Sequence, residues 1–242
     1  MCNVPKDSKY TFLGVAPDFR SDSTGDYHPL FHNIPEVEHL SQLLDGQSLV
    51  RNFANKKSLL SNHSEFKILH FSSHAFMKDS EKSIPFILLR DSQDEETYSK
   101  LDVSEIMQYD FRIPLVTLST CKSQDGPLLQ GEGILSLNRA FTLSGCGSIV
   151  SSLWEVDEQA SKVFMDRFYT NLKNGADKNK ALREAKFYLL DSTSFVEPYY
   201  WGAFILHGDS CNLELEEEST NFLYLIGFLI FIMFILKYFF RQ

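Results

Sequence analysis

Short apolar runs, each followed by a turn or a helix signal, recur from the start of the chain to about residue 211. Such runs are typical of buried parallel strands joined by crossover helices. The predicted strands are residues 10–16, 48–53, 66–73, 86–90, 115–120, 147–154 and 203–208. Apolar residues at helical spacing predict helices at residues 36–46, 102–109, 133–145, 158–175 and 177–191. This alternation predicts an α/β fold: a doubly wound domain with a mainly parallel sheet and helices on both faces.

The pattern changes near the C-terminus. Residues 222–236 include no charged side chain, and the apolar character resumes after Lys237. Taken as residues 221–240, a helix here would be about 30 Å long, which is the thickness of a bilayer core. A buried core helix is the alternative, but the acidic residues 214–220 separate this segment from the rest of the chain. The sequence therefore predicts a domain at 1–211, an acidic linker at 212–220 and a transmembrane helix at 221–240.

The charges around this segment leave its orientation open. Lys237 and Arg241 lie at its C-terminal end, so the positive-inside rule places the last residues in the cytoplasm and the main domain outside. Residues 1–14 have neither a basic nor an apolar signal-peptide region, which favours synthesis in the cytoplasm and insertion by the tail. Either an N-terminal region is missing from this sequence, or the few charges of a short tail have little influence.

Composition narrows the class of protein. The chain has 242 residues, 43% of them hydrophobic and 23% charged, which is typical of one folded globular domain with an appendage. Its net charge is −9, with no stripe of Lys and Arg, so nucleic acid is not an expected partner. The four cysteines form no CxxC pair, so we expect no structural zinc site.

Two predicted strands end in small residues next to a reactive side chain. The run KILHF leads into SSHAF with His74, and LVTL leads into STCKSQDG with Cys121. Ligands of open parallel sheets bind beyond the carboxyl ends of the strands. An imidazole beside a thiol stabilises the thiolate and can protonate a leaving amine. The histidine precedes the cysteine by 47 residues, near the caspase interval of about 50. A Cys–His dyad and a structural cysteine with an unrelated loop histidine both fit this spacing.

A set of longer motifs resembles the CHAT domain family, which comprises caspase-like cysteine peptidases related to separase. The motifs are FLGVAPDF, IPEVEHLSQLLDG, ILHFSSHAF, LVTLSTCKSQDG, GEGILSLNRAFTLSGCGSIVSSLWEVDEQAS, FMDRFYTNLKNG, KALREAK and PYYWGAFILHGD. They occur in this order and cover residues 11–209. The resemblance implies a caspase-like fold and an endopeptidase that uses neither a metal nor an organic cofactor.

The resemblance also implies roles for individual residues. His74 would be the general base and acid, and Cys121 the nucleophile. The backbone N–H groups of Ala75 and Cys121 would form the oxyanion hole, although the family usually has glycine at the position of Ala75. CHAT domains are commonly attached to helical repeats, so the expected partners are a protein substrate and a helical-repeat or activator protein.

The resemblance further suggests where substrate specificity resides. In relatives such as separase, an acidic residue shortly after the LW motif lines the S1 pocket and selects a basic P1 residue. The matching residues here are Asp157 and Glu158. Helix N-capping is the alternative, because acidic residues are favoured at the start of a helix whatever the substrate.

Two functions follow from these features. The first is a membrane-anchored, caspase-like cysteine endopeptidase that hydrolyses peptide bonds of a protein substrate with a Cys–His dyad. The alternative is a catalytically silent CHAT module that acts as a membrane-bound interaction or signalling platform, and Ala75 motivates it.

Overall fold

A computed structural model describes residues 10–20, 27–62, 65–76, 84–94, 97–122 and 132–215. The strands within these ranges are β1 (Tyr10–Ala16), β2 (Gln47–Val50), β3 (Phe66–Phe76), β4 (Phe86–Arg90), β5 (Tyr98–Asp102), β6 (Leu115–Lys122), β7 (Ser148–Ser152) and β8 (Phe204–Gly208). The helices are α1 (Asn33–Leu43), α2 (Lys56–Asn62), α3 (Val103–Ile106), α4 (Glu132–Leu143), α5 (Glu158–Lys173), α6 (Lys178–Ser192) and α7 (Pro198–Trp201).

The strands form a single mixed sheet with the order β2-β1-β3-β6-β7-β8. The neighbours from β2 to β7 are parallel, and β8 is antiparallel to β7. Beyond this path, β4 pairs antiparallel with the end of β3, and β5 pairs antiparallel with β4. The predicted parallel centre of the sheet is therefore confirmed.

Helices cover both faces of the sheet, as predicted. Alternate side chains of a strand point to opposite faces, so each strand contributes to two cores. Phe12 and Ile68 lie in the core cluster formed with α1, α5 and α6. Their neighbours Leu13 and Leu69 lie in the other cluster, with side chains of α2, α3 and α4. The result is a three-layer α/β/α domain.

The two strands that carry the candidate residues are longer than predicted. β3 continues past residue 73 to Phe76, and β6 continues past residue 120 to Lys122. His74 and Cys121 therefore lie within strands and do not follow them. The reason is tertiary, because Phe76 gains an antiparallel partner in β4 and His74 gains Cys121 as a parallel partner.

Other boundaries also differ from the sequence prediction. The strand predicted at 48–53 ends at Val50, because Arg51 has a positive φ of 54° and begins a short 3₁₀ turn. The helix predicted at 102–109 shortens to α3, which ends at Ile106; at its start, Asp102 ends β5 and forms a capping box with Glu105. Strand β5 and helices α2 and α7 were not predicted.

The segment after β8 packs against the domain. Leu213 is 2% exposed and belongs to the core cluster beside α5 and α6. Just before it, Asp209 accepts a 2.7 Å hydrogen bond from the buried ammonium group of Lys178. None of the helices in the described ranges combines the length and apolar character needed to cross a bilayer. The transmembrane helix predicted at 221–240 lies outside the described residues.

Candidate active site

The register of two central strands brings the candidate dyad residues together. In the parallel pair β3 and β6, His74 lies opposite Cys121, and the next pair is Ala75 with Lys122. Neighbouring strands of a sheet are about 4.8 Å apart. Two residues separated by 47 positions in sequence thus become adjacent in the backbone of the sheet.

The His74 ring is held by a backbone acceptor. His74 is 2% exposed, and its Nε2 lies 2.8 Å from the carbonyl oxygen of His28. A carbonyl oxygen can only accept, so Nε2 carries the proton. In a neutral imidazole the other nitrogen, Nδ1, then holds the lone pair. Phe19 packs edge-on against the ring with centroids 4.5 Å apart, which further restricts its orientation. In the neutral ring, Nδ1 is therefore the nitrogen that can accept a hydrogen bond.

A cleft of about 710 Å³ lies beside His74. Its walls are formed by the segment that carries the His28 acceptor, by the turn before α5 and by the start of α7: residues 28–32, residues 155–159, Tyr199 and Tyr200. Small-molecule sites in proteins typically have volumes of about 300–1,000 Å³. The cleft is large enough to receive a few side chains of a peptide.

Ala75 occupies ordinary extended backbone at this position. It is fully buried, with Ile87 as its ladder partner on one side and Lys122 on the other. Among the described residues other than glycine, positive φ angles occur only at Asp45, Arg51 and Arg112. An alanine is therefore accommodated here without backbone strain, and the conformation does not require glycine.

Asp157 caps the helix that it precedes. Its Oδ1 accepts hydrogen bonds from the backbone N–H groups of Gln159 at 2.9 Å and Ala160 at 3.0 Å. The side chain is exposed and also lines the cleft beside His74. The geometry is therefore compatible with both interpretations of Asp157, helix capping and substrate recognition. One carboxylate oxygen caps α5, and the residue also borders the cleft.

Glu158 lines the same cleft and contacts a distant segment of the chain. Its Oε2 accepts hydrogen bonds from the backbone N–H groups of Phe31 and His32, both at 3.0 Å. Glu158 is the first residue of α5, whereas Phe31 and His32 immediately precede α1. One carboxylate therefore joins the starts of two helices, a contact that the sequence did not reveal.

A series of hydrogen bonds links four buried polar side chains: Glu36, His70, Tyr169 and Thr117. Burial raises the pKa of Tyr169 far above its usual value, so its hydroxyl stays protonated and donates to Thr117 Oγ1 at 2.7 Å. The Tyr169 oxygen consequently accepts from His70 Nδ1 at 3.1 Å, and His70 Nε2 pairs with Glu36 at 2.9 Å. His70 is therefore a buried residue whose two ring nitrogens both have hydrogen-bond partners. Within the described ranges, no group of His, Cys, Asp and Glu side chains could hold a metal ion.

Cys146 provides a contrast to the candidate nucleophile. Its side chain is 5% exposed, and burial raises the pKa of the thiol to about 12, although contacts with Ile113 and Ser144 oppose this shift. Only about one molecule in ten thousand would carry a thiolate there at pH 8. Since the thiolate is the nucleophile, Cys146 is chemically inert under ordinary conditions.

Sequence reasoning missed the acceptor of the His74 ring. The contact uses the main-chain oxygen of His28, which any residue would supply, so no side-chain pattern could reveal it. The packing of Phe19 on His74 is equally invisible, because the two residues are joined only by the fold.

Comparison with known proteins places these features in context. The sequence profile of the family described as "CHAT domain" matches residues 4–209. Tetratricopeptide repeat protein 28 of Homo sapiens is 28% identical over 209 residues, covering 74% of this chain and 8% of the relative, and the Mus musculus protein gives the same values. This chain thus spans about 8% of the length of these curated relatives.

Similar solved structures have low sequence identity to this chain. The Arg-specific cysteine proteinase gingipain R superposes with a TM-score of 0.60 at 11% identity, covering 87% of this chain and 49% of that structure. Caspase-1 from Spodoptera frugiperda gives a TM-score of 0.48 at 12% identity, covering 86% of this chain and 91% of that one. At 11% identity, the likeness to gingipain R shows a shared fold and nothing further.

Proposed function

The chain belongs to the CHAT domain family, and on that premise we propose that it is a cysteine endopeptidase whose dyad is His74 and Cys121. The observation that carries this proposal is the register of β3 and β6, which makes the two residues direct neighbours. Partners in register project toward the same face of a sheet, and this backbone relationship supports a dyad between the two residues.

The proposed reaction begins with proton transfer from the Cys121 thiol to Nδ1 of His74. The thiolate attacks the carbonyl carbon of the scissile bond, and the electron pair moves onto the carbonyl oxygen. As the intermediate collapses, the C–N bond breaks and the His74 imidazolium protonates the leaving amine, which leaves a thioester. Water, deprotonated by His74, then attacks the thioester, releasing the carboxylic acid and restoring the thiol.

We propose the backbone N–H groups of Ala75 and Cys121 as the oxyanion hole. Donors aimed at a developing oxyanion stabilise the transition state, and loss of one donor typically lowers kcat by about 10²- to 10³-fold. The backbone at Ala75 has no positive φ, so an alanine fits this position as well as a glycine would.

We propose that the cleft beside His74 receives the substrate and that Asp157 favours a basic P1 residue there. A carboxylate that pairs with Arg or Lys in a partly desolvated pocket adds a charge-assisted hydrogen bond. Support comes from the position of Asp157 on the cleft wall, with both capping bonds made by the same oxygen.

Membrane anchoring and partner binding complete the proposal. Residues 221–240 would span the bilayer as one helix. The acidic linker predicted at 212–220 would begin only after residue 215, because Leu213 packs in the core and Leu215 packs against it. The apolar sequence of residues 221–240 supports the proposed membrane span. The names of the curated relatives include a tetratricopeptide repeat, which supports a helical-repeat protein as the activating partner.

A catalytically silent module is the second candidate function, motivated by Ala75 at the usual glycine position. An iodoacetamide probe applied to the reduced protein at pH 6 separates the two. An unperturbed thiol is less than about 1% thiolate at that pH, whereas a dyad thiolate is largely formed. The peptidase proposal predicts that His74→Ala slows alkylation of Cys121 by roughly tenfold or more.

Two controls accompany this measurement. Cys146 should remain unlabelled in every sample because of its burial and raised pKa. His39→Ala removes an exposed histidine that pairs with Asp166 and should leave the Cys121 rate unchanged. An equal Cys121 rate in the intact protein and in His74→Ala would favour the silent module.

A further inference from the structure

We infer that Glu158 is a positioning residue for His74 and acts through the backbone of residues 28–32; this inference rests on the proposed peptidase function. Glu158 acts on the His74 ring indirectly in this arrangement. It holds the segment whose carbonyl oxygen orients that ring. The role differs from substrate recognition, because it requires an acceptor oxygen and not a negative charge.

The first link joins Glu158 to the segment. Its Oε2 accepts the backbone N–H groups of two consecutive residues, Phe31 and His32, at 3.0 Å each. His32 is the N-cap of α1, and its own side chain makes no capping hydrogen bond. The carboxylate oxygen thus satisfies two backbone donors at the start of α1.

The second link joins the segment to His74. The carbonyl oxygen of His28, three residues before Phe31, accepts the Nε2 proton of His74 at 2.8 Å. Between these points, Leu30 is 5% exposed and packs in a cluster with Phe19 and Leu88. Because Phe19 also packs on the His74 ring, the segment is fixed by its side chain as well as by its backbone.

A third contact fixes the end of the segment. Asn33 is 5% exposed, and its Nδ2 donates to the carbonyl oxygen of Pro17 at 2.7 Å and more weakly to that of Ser72 at 3.4 Å. Ser72 lies two residues before His74 on β3. The C-terminal end of the segment is therefore anchored twice: Glu158 ties it to α5, and Asn33 ties it to Pro17 after β1 and weakly to β3. The His28 oxygen lies at the other end of the segment, next to the histidine ring.

Loss of the Glu158 acceptor should change the chemistry more than substrate binding. Two N–H groups would lose their partner, and the His28 oxygen would no longer be held at a fixed place relative to Nε2. A displacement of about 1 Å at a catalytic group can lower a rate by about 100-fold. The ring could then also adopt its other tautomer, in which Nδ1 carries the proton and cannot accept one from Cys121.

Glutamine separates positioning from charge recognition. The side-chain amide oxygen of Glu158→Gln has two lone pairs, so it can accept both N–H groups, but it carries no charge. A positioning role predicts that Glu158→Gln keeps most of the activity that Glu158→Ala loses. An S1 role for the Glu158 charge predicts that both variants lose cleavage after basic residues equally.

The test compares Glu158→Ala and Glu158→Gln in the full chain, with Asp166→Ala as the matched control on α5, where Asp166 is half exposed and pairs with the surface His39. Peptide hydrolysis gives kcat and KM. NMR of the protein with ¹⁵N-labelled histidine, assigned by His74→Ala, reports which ring nitrogen of His74 carries the proton. Thermal unfolding shows that each variant is folded.

We expect Glu158→Ala to lower kcat by about 10- to 100-fold with KM within about threefold, and to lose the fixed Nε2–H tautomer of His74. Glu158→Gln should retain most of the kcat and the Nε2–H tautomer of the intact protein. A Glu158→Ala protein with the kcat and the tautomer of the intact chain would overturn the inference, and so would a Glu158→Gln protein as impaired as Glu158→Ala. If the intact protein hydrolyses no peptide, the proposed function fails and the tautomer alone decides: its retention in Glu158→Ala overturns the positioning role, and its loss upholds it.

Discussion

The Nε2–H group of His74 donates to the carbonyl oxygen of His28 across 2.8 Å. A main-chain carbonyl does not titrate and cannot donate, so it fixes one tautomer of the neutral ring at any pH. Many peptidase histidines are oriented by a carboxylate, which also stabilises the imidazolium by its charge. Here the orienting group is a dipole, and its position depends on how firmly residues 28–32 are held.

Removing both proposed dyad residues should be no worse than removing one. We expect Cys121→Ala and His74→Ala each to bring kcat/KM for a cleaved peptide close to background, because the thiol and the imidazole act as one unit. The double variant should lie within a few-fold of either single variant. The measurement is steady-state hydrolysis by the four proteins. Losses that multiply in the double variant would show that the two residues act independently.

Replacing Asp157 by asparagine should change substrate selection without unfolding α5. Asparagine caps helices about as well as aspartate, whereas it cannot form an ion pair with Arg or Lys. If Asp157 serves the substrate, cleavage after basic P1 residues should fall by roughly 10- to 150-fold relative to neutral ones. Cleavage of peptide libraries that vary only at P1 measures this ratio.

The matched control for this prediction is Asp157→Ala. It removes the cap as well as the charge and should lower the free energy of unfolding by about 1 kcal/mol. If the P1 profile of Asp157→Asn equals that of the intact protein, the carboxylate serves only the helix. A profile dominated by acidic or small apolar P1 residues would lead to the same conclusion.

Truncation separates the proposed membrane anchor from the folded domain. Deleting residues 219–242 should remove the need for detergent while keeping peptidase activity, because the acidic linker separates the anchor from the sheet. The measurements are partition between detergent and aqueous phases and hydrolysis of a soluble peptide. Aggregation or unfolding of this variant would show that the apolar segment belongs to the core.

A longer truncation gives the contrast. Deleting residues 212–242 also removes Leu213, which is 2% exposed in the core beside α5 and α6. Loss of a buried leucine side chain typically costs about 2–5 kcal/mol. The longer deletion should therefore unfold at lower denaturant concentration than the deletion of 219–242. Equal stability of the two would contradict the packing of Leu213.

Sequence patterns predicted those parts of the fold that depend on local apolar spacing. Strand β1 is predicted at residues 10–16 and observed at Tyr10–Ala16, and α5 starts at Glu158 as predicted, because its N-cap Asp157 is a strong local signal. Strand β5, with the sequence YSKLD, has little apolar character and was missed. It forms because β4 offers an antiparallel edge, which is a tertiary cause.

Only part of the candidate site could be predicted from the sequence. His74 and Cys121 could be singled out because reactive side chains follow apolar runs, and the register of β3 and β6 makes them neighbours in the backbone. Neither the His28 oxygen nor the contacts of Glu158 with Phe31 and His32 could be predicted from the sequence. These contacts involve main-chain groups, and the partners are 46, 127 and 126 residues apart in sequence. Such contacts become visible only when the packing is known.

The most direct test of the central claim is a cleavage profile of a proteome-derived peptide library, read as newly formed N-termini by mass spectrometry. The intact protein and Cys121→Ala would be compared under identical conditions, with activator or detergent added equally. Our account predicts new N-termini at a consistent set of sites with the intact protein and none of these sites with Cys121→Ala. The same sites cleaved at the same rate by Cys121→Ala would contradict the assignment of Cys121 as the nucleophile.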